Sequence, residues 1–484
     1  MSERAAGAEQ GRLEKTLGTW SIFVAGVGLV VAASTLVSDF VGYFTVGLAF
    51  LVALLIAFVI NLLLGLSCAE LSSTYPKAGA LYEYGSRAVP WGGSSAVVGL
   101  FLAFAFYAMF GIVGALEVAA GSFGLQAVFN ATGSLTPWII AIVVLATLPN
   151  LGHVRTMAII EAVVLVAMLC VRWFFGLAGW AGFSDTGAWS ASAWTSEIGV
   201  FEWSAIAGAM ALAYWSFVGI EFVAPLAEET RNPRRNMPVG IVLGLLAILA
   251  TSAFMGTGVG GTRPIGEWAD AALGPAGCDG SCPQLVVGEA MFGGWGRGLM
   301  ALTTAAATYT SMVIVLAAMP RILYGIARDG YFFGPLSRAF GYLHPRFRTP
   351  WVAIFFTAAV YCVVAIFFND VVALIFAASY AWVIIYILWH LLVIVSRFTN
   401  PDVERPFRLP LIVPIIGAAG TAFALYYAFQ GAHATYGLPS LYIFGGALLA
   451  ALVSYALARW GRGPVPDSEG QPPREVGPTG PGRR

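Results

Sequence analysis

The fold is decided by residues 203–238, which read WSAIAGAMALAYWSFVGIEFVAPLAEETRNPRRNMP. Residues 203–220 carry no charge, and at about 1.5 Å per residue they nearly cross a hydrocarbon core of roughly 30 Å. Glu221 then places a carboxylate inside the predicted span, where it is costly unless it is protonated, paired or hydrated. Gly219 and Pro225 flank it, and both weaken a helical hydrogen-bond ladder. The stretch therefore predicts a membrane helix interrupted at a functional site.

Composition places the whole chain among polytopic membrane proteins. Of its 484 residues, 59% are hydrophobic and 10% are charged, which disfavours a soluble protein. An enzyme is not expected, because no Ser-His-Asp set, phosphate-binding loop or metal-ligand cluster is visible and the histidines are scattered. A channel would need a polar lining on several spans, whereas charge inside the predicted spans is sparse.

Hydrophobic windows of helical length predict about twelve transmembrane helices. They fall near 18–38, 44–68, 95–125, 136–151, 155–181, 203–227, 238–260, 297–327, 350–368, 370–396, 411–431 and 438–460. With this topology, all basic residues except Arg172, Arg263 and Arg297 lie on one side, which the positive-inside rule makes cytoplasmic. We therefore expect a multi-pass protein of the plasma or inner membrane with both termini in the cytoplasm.

The first span contains a dense set of small residues, which either permits close helix packing or marks a second interruption. Paired interruptions in two halves of a chain are the best sequence indication of a transporter site. Because the two candidate breaks are five helices apart, the halves would have opposite orientations. We predict a cytoplasmic tail (1–17), two inverted five-helix repeats (18–181 and 203–396), two added helices (411–460) and a disordered cytoplasmic tail (461–484).

Several charged and sulfur-containing side chains have more than one interpretation. Glu117 and Arg172 both lie inside predicted spans, where an ion pair between them would lower the cost of burial. Glu161, near the inner end of the fifth span, is interpreted as hydrated or bound to a neighbour. Cys278 and Cys282, in the longest outward loop, could form a disulfide or stay reduced.

Three motifs resemble the amino acid, polyamine and organocation permeases. They are AELSSTYPKAGALYEYGSRAVP (69–90), WSFVGIEFVAPLAEETRNPRRNMPVGI (215–241) and MPRILYGIARDGYFFGPLSR (319–338). They are similar to that family's connector after the second helix, its sixth helix and the end of its eighth helix. The resemblance implies an all-α fold and alternating access around a mid-membrane site between broken first and sixth helices.

The resemblance also assigns the candidate substrate-binding residues. Backbone near Ala32, Ala33 and Ser34 would face a carboxylate or hydroxyl group, and carbonyls of Phe217, Val218 and Gly219 would receive an ammonium group. Trp215 matches an aromatic gate, and Tyr214 and Gly28 lie beside the two breaks. Glu221 matches an acid linked to proton-dependent gating, although it could also simply cap the inner half-helix.

The first span departs from the family pattern, because Ala-Ala-Ser replaces a glycine-rich turn and makes an amide nest for carboxylate less accessible. GVGLV (26–30) instead resembles the ethanolamine permease branch. The predicted function is a secondary active permease for a small amino acid, with a small amine permease or a ligand sensor as alternatives. The expected partners are the small-molecule substrate and the lipid bilayer, and no nucleic acid is expected. No cofactor is expected. Coupling of transport to protons is favoured, and coupling to sodium is the alternative, because the hydroxyls of Thr310 and Ser311 could bind a sodium ion.

Overall fold

The computed structural model describes residues 15–88, 95–194, 199–330 and 334–460. Within these ranges the α-helices are α1 (Thr19–Val30), α2 (Ala33–Val46), α3 (Ala49–Thr74), α4 (Leu81–Ala88), α5 (Ser95–Val128), α6 (Thr136–Asn150), α7 (Val154–Ala181), α8 (Trp203–Gly208), α9 (Met210–Trp215), α10 (Pro233–Gly260), α11 (Ile265–Ala272), α12 (Pro283–Arg328), α13 (Gly334–Phe340), α14 (Trp351–Phe367), α15 (Val371–Thr399) and α16 (Ile412–Trp460). Short 3-10 helices occupy Ala191–Trp194, Ile220–Glu229 and Pro275–Gly277. The predicted tail 461–484 and residues 1–14 lie outside the described residues.

The chain is an all-α polytopic membrane protein, as predicted. Seven helical segments of the described part are long and apolar enough to cross a membrane, and the bent pair α1–α2 adds an eighth when it is counted as one span. Shorter apolar helices are Thr136–Asn150, Trp351–Phe367 and Ile412–Tyr427. Where two last spans were predicted, α16 runs without interruption from Ile412 to Trp460. The count of twelve and the five-plus-five repeat therefore stay predictions.

Small residues let the membrane helices approach one another closely. At the crossing of α7 and α10, a Cβ added to Gly179 would lie 2.2 Å from the carbonyl oxygen of Gly258. Lipid tails provide no hydrophobic drive for helix association, so backbone proximity of this kind is a main source of packing energy. The crossing holds α7, which carries two buried charged residues, firmly against the bundle.

The first predicted span is broken in its middle. Helix α1 ends at Val30, α2 begins at Ala33, and the two halves are bent by 56°. Val31 and Ala32 between them have non-helical backbone, with ψ angles of 45° and 178°. The break leaves amides at the start of α2 and carbonyls at the end of α1 without helical partners. The small residues of this span therefore mark an interruption rather than packing alone.

The predicted interruption at Gly219 is also present. Helices α8 and α9 form the outer half of this span, a turn follows at 216–219, and the 3-10 helix Ile220–Glu229 forms the inner half. Gly219 has φ +124°, a conformation that residues with a Cβ rarely adopt. Pro225 lies inside the 3-10 helix, which contains no α-helical turn.

The long loop 261–296 is more structured than a simple outward connection. It contains α11, the disulfide Cys278–Cys282 and the first part of α12, which is kinked at Phe292 and Gly293. The disulfide closes a short turn directly before α12 begins. This compact segment covers the predicted outer side, where Trp268 of α11 stacks on Phe44 of α2 with ring centroids 5.1 Å apart.

Candidate substrate site

The two interrupted spans face each other. Gly219 lies so close to α1 that an added Cβ would be 3.0 Å from Cδ2 of Leu29. From the other span, the indole Nε1 of Trp215 donates a hydrogen bond to Oγ of Ser34 at 2.9 Å. The chain thus brings both breaks, which are almost two hundred residues apart in sequence, to one place.

A narrow cavity separates the breaks. Its lining combines residues of both spans with residues of α5 and α12: Leu29, Ser34, Thr35, Phe110, Val113, Glu117, Trp215, Val218, Gly219 and Ser311. The space holds about one water molecule. A solute larger than water can therefore enter only after the surrounding helices move.

Arg172 of α7 occupies the carbonyl side of the first break. Its guanidinium donates hydrogen bonds from Nη2 to the carbonyl oxygens of Val31 and Ala32, at 2.9 and 2.8 Å. The side chain is completely buried, so these contacts replace water for a group that is expensive to dehydrate. Arg172 therefore satisfies carbonyls that the end of α1 leaves free.

Glu117 of α5 occupies the opposite, amide side of the same break. Its Oε1 accepts a hydrogen bond from the hydroxyl of Ser34, and its carboxylate faces the backbone N–H groups of Ala33 and Ser34. Negative charge is favourable there, because these amides form the N-terminus of α2. The second oxygen, Oε2, is buried without a hydrogen-bond partner among the described residues.

The direct ion pair between Glu117 and Arg172 that was considered from the sequence is not formed, because no salt bridge joins them among the described residues. Each instead binds one side of the first break, and they interact electrostatically at longer range together with Asp39. Asp39, on α2, accepts a hydrogen bond from the Ser216 hydroxyl at 2.7 Å. We did not predict Asp39, because it falls just past the end of the hydrophobic window that marked the first span.

Glu221 holds the second break together. Its Oε2 accepts hydrogen bonds from the Gly219 amide at 3.1 Å and from the Tyr386 hydroxyl at 2.7 Å. The other oxygen is buried and has no partner in the described part of the chain. The amide contact is the capping contact considered from sequence. The capping contact does not test whether Glu221 also takes part in proton coupling, which stays a prediction.

The other predicted site residues divide into two groups. Val218 and Gly219 line the cavity, whereas Phe217 packs on Phe58 and Tyr214 packs on Tyr386, with ring centroids both 5.9 Å apart. The Gly219 carbonyl also accepts a hydrogen bond from Phe222 at 3.0 Å. Gly28 lies away from the cavity lining, and its carbonyl accepts a hydrogen bond from the Thr310 hydroxyl at 3.2 Å.

Several ion pairs form a network on the side predicted to be cytoplasmic. It joins Arg321 to Glu229, Arg328 to Glu228 and Glu83 at 3.2 and 3.4 Å, and Arg397 to Glu70 at 2.5 Å. Arg328 thus bridges two carboxylates from different parts of the chain. Arg234 instead pairs with Glu404 on the exposed surface.

The N-terminal segment is tied into this network through its backbone. The amides of Thr16 and Leu17 donate to the Glu229 carbonyl at 2.9 and 3.0 Å, and the Arg231 amide donates to the Leu17 carbonyl at 2.7 Å. Movement of α1 must therefore break contacts with the inner end of the second interrupted span.

Comparison with known proteins agrees with this architecture. The family model described as amino acid permease matches residues 17–449, which include both interrupted spans. The chain belongs to the amino acid permease family.

Relatives of this permease family member are named for different transported molecules. It is 24% identical to the branched-chain amino acid permease BcaP of Bacillus subtilis over 448 residues, which cover 87% of this chain and 89% of the relative. It is also 24% identical to the methylthioribose transporter of Bacillus subtilis, with 86% and 88% of the chains covered. The human b(0,+)-type amino acid transporter 1 is 26% identical over 43% of this chain and 41% of its own.

Proposed function

We propose that this chain is a secondary active permease that moves a small amino acid across the cell membrane by alternating access, coupled to protons. The observation that carries the proposal is the meeting of two helix breaks across one narrow cavity. Interrupted helices expose backbone donors and acceptors to a solute at membrane depth, and this is tolerated only where protein or a polar cavity surrounds them.

Closure on both sides of the cavity supports alternating access. The ion-pair network lies below it, and the stacked Phe44 and Trp268 lie on the predicted outer side. A site that is closed from both sides can release its solute only when one closure opens. This is the behaviour of a carrier, whereas a channel needs a continuous path.

Unpaired acceptors in the cavity suit the ammonium end of a solute. Glu117 Oε2 and Ser311 Oγ are buried without partners among the described residues, and both residues line the cavity. The Trp215 ring lines the same space, where a cation–π contact contributes about 0.5–2 kcal/mol. Thr35 lines the same space from the first turn of α2, and the N-terminal end of a helix favours a carboxylate.

A small amine is the second candidate substrate, and Glu117 favours it. This carboxylate already faces the Ala33 and Ser34 amides, which the family resemblance assigns to the substrate's carboxylate. A solute with an ammonium group but no carboxylate would leave that contact intact. The relative named for methylthioribose carries the name of a substrate other than an amino acid.

The transport proposal is tested by accumulation in proteoliposomes. Radiolabelled small amino acids and amines should concentrate inside when an inward proton gradient is applied, and a protonophore should abolish the concentration. Empty liposomes provide the control. Saturable binding without accumulation under any gradient would instead indicate a ligand sensor.

The two substrate classes are separated with matched pairs, each an amino acid and the amine formed by its decarboxylation. A ligand present at 100 times its Kd stabilises the folded protein by about 2.7 kcal/mol, so thermal unfolding of the purified protein resolves the members of a pair. An amino acid permease should be stabilised by the acid-bearing member alone. Stabilisation by the amine, with loss of that effect in Glu117→Gln, would establish the second candidate.

Proton coupling is tested at Glu221. The Glu221→Gln variant can still accept a hydrogen bond from the Gly219 amide, so it should fold, but uptake should lose its dependence on pH. Tyr386→Phe is the matched control, because it removes a partner of Glu221 without removing the carboxylate. Unchanged pH dependence in Glu221→Gln would show that the carboxylate serves only to cap the break.

A further inference from the structure

Glu161 on α7 is a buried carboxylate that the site described above does not use. Its side chain is completely buried, and neither carboxylate oxygen has a hydrogen-bond partner among the described residues. Asp39, Glu117 and Glu221 each have one unpaired oxygen but keep a partner on the other. Of the two sequence interpretations of Glu161, hydrated or bound to a neighbour, the second is therefore not met by a hydrogen bond from any described residue.

Glu161 lines its own small cavity at the inner end of the first interrupted span. The cavity is otherwise bounded by Leu17, Ser21, Val24, Ala25, Met157, Ala158, Leu226 and Ile314. Above it, Glu161 presses against the backbone of Gly28, where an added Cβ would lie 2.3 Å from Oε1. The carboxylate thus sits where α1, α7, α12 and the inner half of the second interrupted span meet.

Among the described residues, no positive charge faces this carboxylate from the elements around it. Helix α1 contains no charged residue, and α12 contributes Tyr309 as the titratable neighbour of Glu161. The inner half of the second interrupted span contributes Leu226 to the cavity, while its Glu228 and Glu229 are paired with arginines. On α7 itself, Arg172 is bound to the Val31 and Ala32 carbonyls.

These surroundings decide which ligand fits. An ionised carboxylate buried without a partner costs several kcal/mol, so the group needs a cation. A hard metal cation takes several oxygen ligands, and besides Glu161 the cavity lining offers a single side-chain hydroxyl, that of Ser21. A proton needs no further ligand and leaves a neutral carboxyl group in an apolar cavity.

We propose that Glu161 is a proton-binding site, loaded in this closed state, that releases its proton to water on the inner side. The route follows from Leu17, which lines the cavity and is also hydrogen-bonded to Glu229 and Arg231 of the inner closure. Opening that closure moves Leu17 and admits water to Glu161. The inference rests on the proposed function in assuming that the inner closure opens during transport.

The protonation itself is tested without transport, by infrared spectroscopy of the purified full-length protein. The wild type should show the carbonyl stretch of a protonated carboxyl group that is missing from Glu161→Gln and present in Glu267→Gln, which alters an exposed carboxylate on α11. Identical spectra for wild type and Glu161→Gln would overturn the proposal. So would loss of the band on addition of sodium, which would make the site a metal-ion site.

The release step is tested in proteoliposomes with the same variants. Glu161→Gln should lose the stimulation of uptake by an inward proton gradient and keep exchange of substrate across equal pH, while Glu267→Gln should match the wild type in both assays. Full stimulation in Glu161→Gln would contradict the proposal. If even the wild type accumulates no solute, the proposed function fails, while the infrared result still decides the state of Glu161.

The folding of the Glu161→Gln variant also tests whether Glu161 is neutral in this cavity. Glutamine is a neutral isostere of a protonated glutamate, so this variant should be recovered folded at the wild-type yield. A variant that fails to fold would contradict a neutral Glu161 in this cavity.

Discussion

The two helix breaks of this permease are held together in different ways. At the first break, Arg172 and Glu117 come from other helices and bind the carbonyl side and the amide side. At the second break, Glu221 binds the amide of Gly219, only two positions away, and Gly219 itself supplies the unusual backbone. The first break therefore depends on distant charges, and the second depends mainly on its own residues.

This difference predicts that charge removal damages the first break most. Arg172→Gln removes the charge that binds Val31 and Ala32 and that lies near two buried carboxylates. We expect thermal unfolding in detergent to show a loss of about 3–5 kcal/mol, the range for a buried charge left without compensation. Arg297→Gln is the control, because its ion pair with Glu289 is exposed and exposed pairs contribute about 0–1 kcal/mol. Equal stability of the two variants would refute the role of Arg172.

A backbone change at Gly219 should destabilise the second break, because that break depends on the conformation of its own residues. Gly219→Ala places a Cβ at a positive φ and against Leu29, and such strain costs about 1–3 kcal/mol. Gly111→Ala is the matched control, because a Cβ there meets nothing within 4 Å and helical alanine gains about 0.5–1 kcal/mol over glycine. Unfolding midpoints measure both. An unchanged unfolding midpoint in Gly219→Ala would mean that the turn tolerates a residue with a Cβ.

The smallest effect is expected at the hydroxyl that supports the second break. Tyr386→Phe removes one hydrogen bond to Glu221 and leaves the Gly219 amide in place, so the loss should be about 1 kcal/mol. Tyr342→Phe, which removes a hydroxyl from a more exposed inner-side residue, serves as the control in the same unfolding measurement. A loss as large as that of Arg172→Gln would show that the second break also depends on distant contacts.

The second break, which is held by neighbouring residues, could be predicted from the sequence, whereas the contacts at the first break could not. Gly219 and Glu221 lie two residues apart, so their pattern was visible in one stretch, and the interruption appears where it was predicted. The contacts at the first break join residues 83 to 141 positions apart, and no local pattern specifies them. For this reason the sequence identifies Glu117 and Arg172 as buried charges and suggests a pair between them, but it does not indicate their contacts with the first break.

Distance in sequence also explains the remaining differences. Tyr386, the partner of Glu221, is 165 positions away from it. No local pattern in the sequence of α15 indicates this contact. The state of Glu161 depends on four elements that meet only in the folded chain. The apolar spans themselves were predictable, because each is specified by its own composition.

The central claim is that both breaks bind one solute, and substrate protection of cysteines tests it most directly. Single cysteines at Thr35 and Val218, which line the cavity from the two spans, are introduced after replacing Cys68, Cys170 and Cys362. A cysteine at Tyr342 on the inner side is the control. Our account predicts that one substrate slows labelling by a small thiol reagent at Thr35→Cys and Val218→Cys alike and leaves Tyr342→Cys unaffected. Protection at one break alone, or at neither, would contradict it.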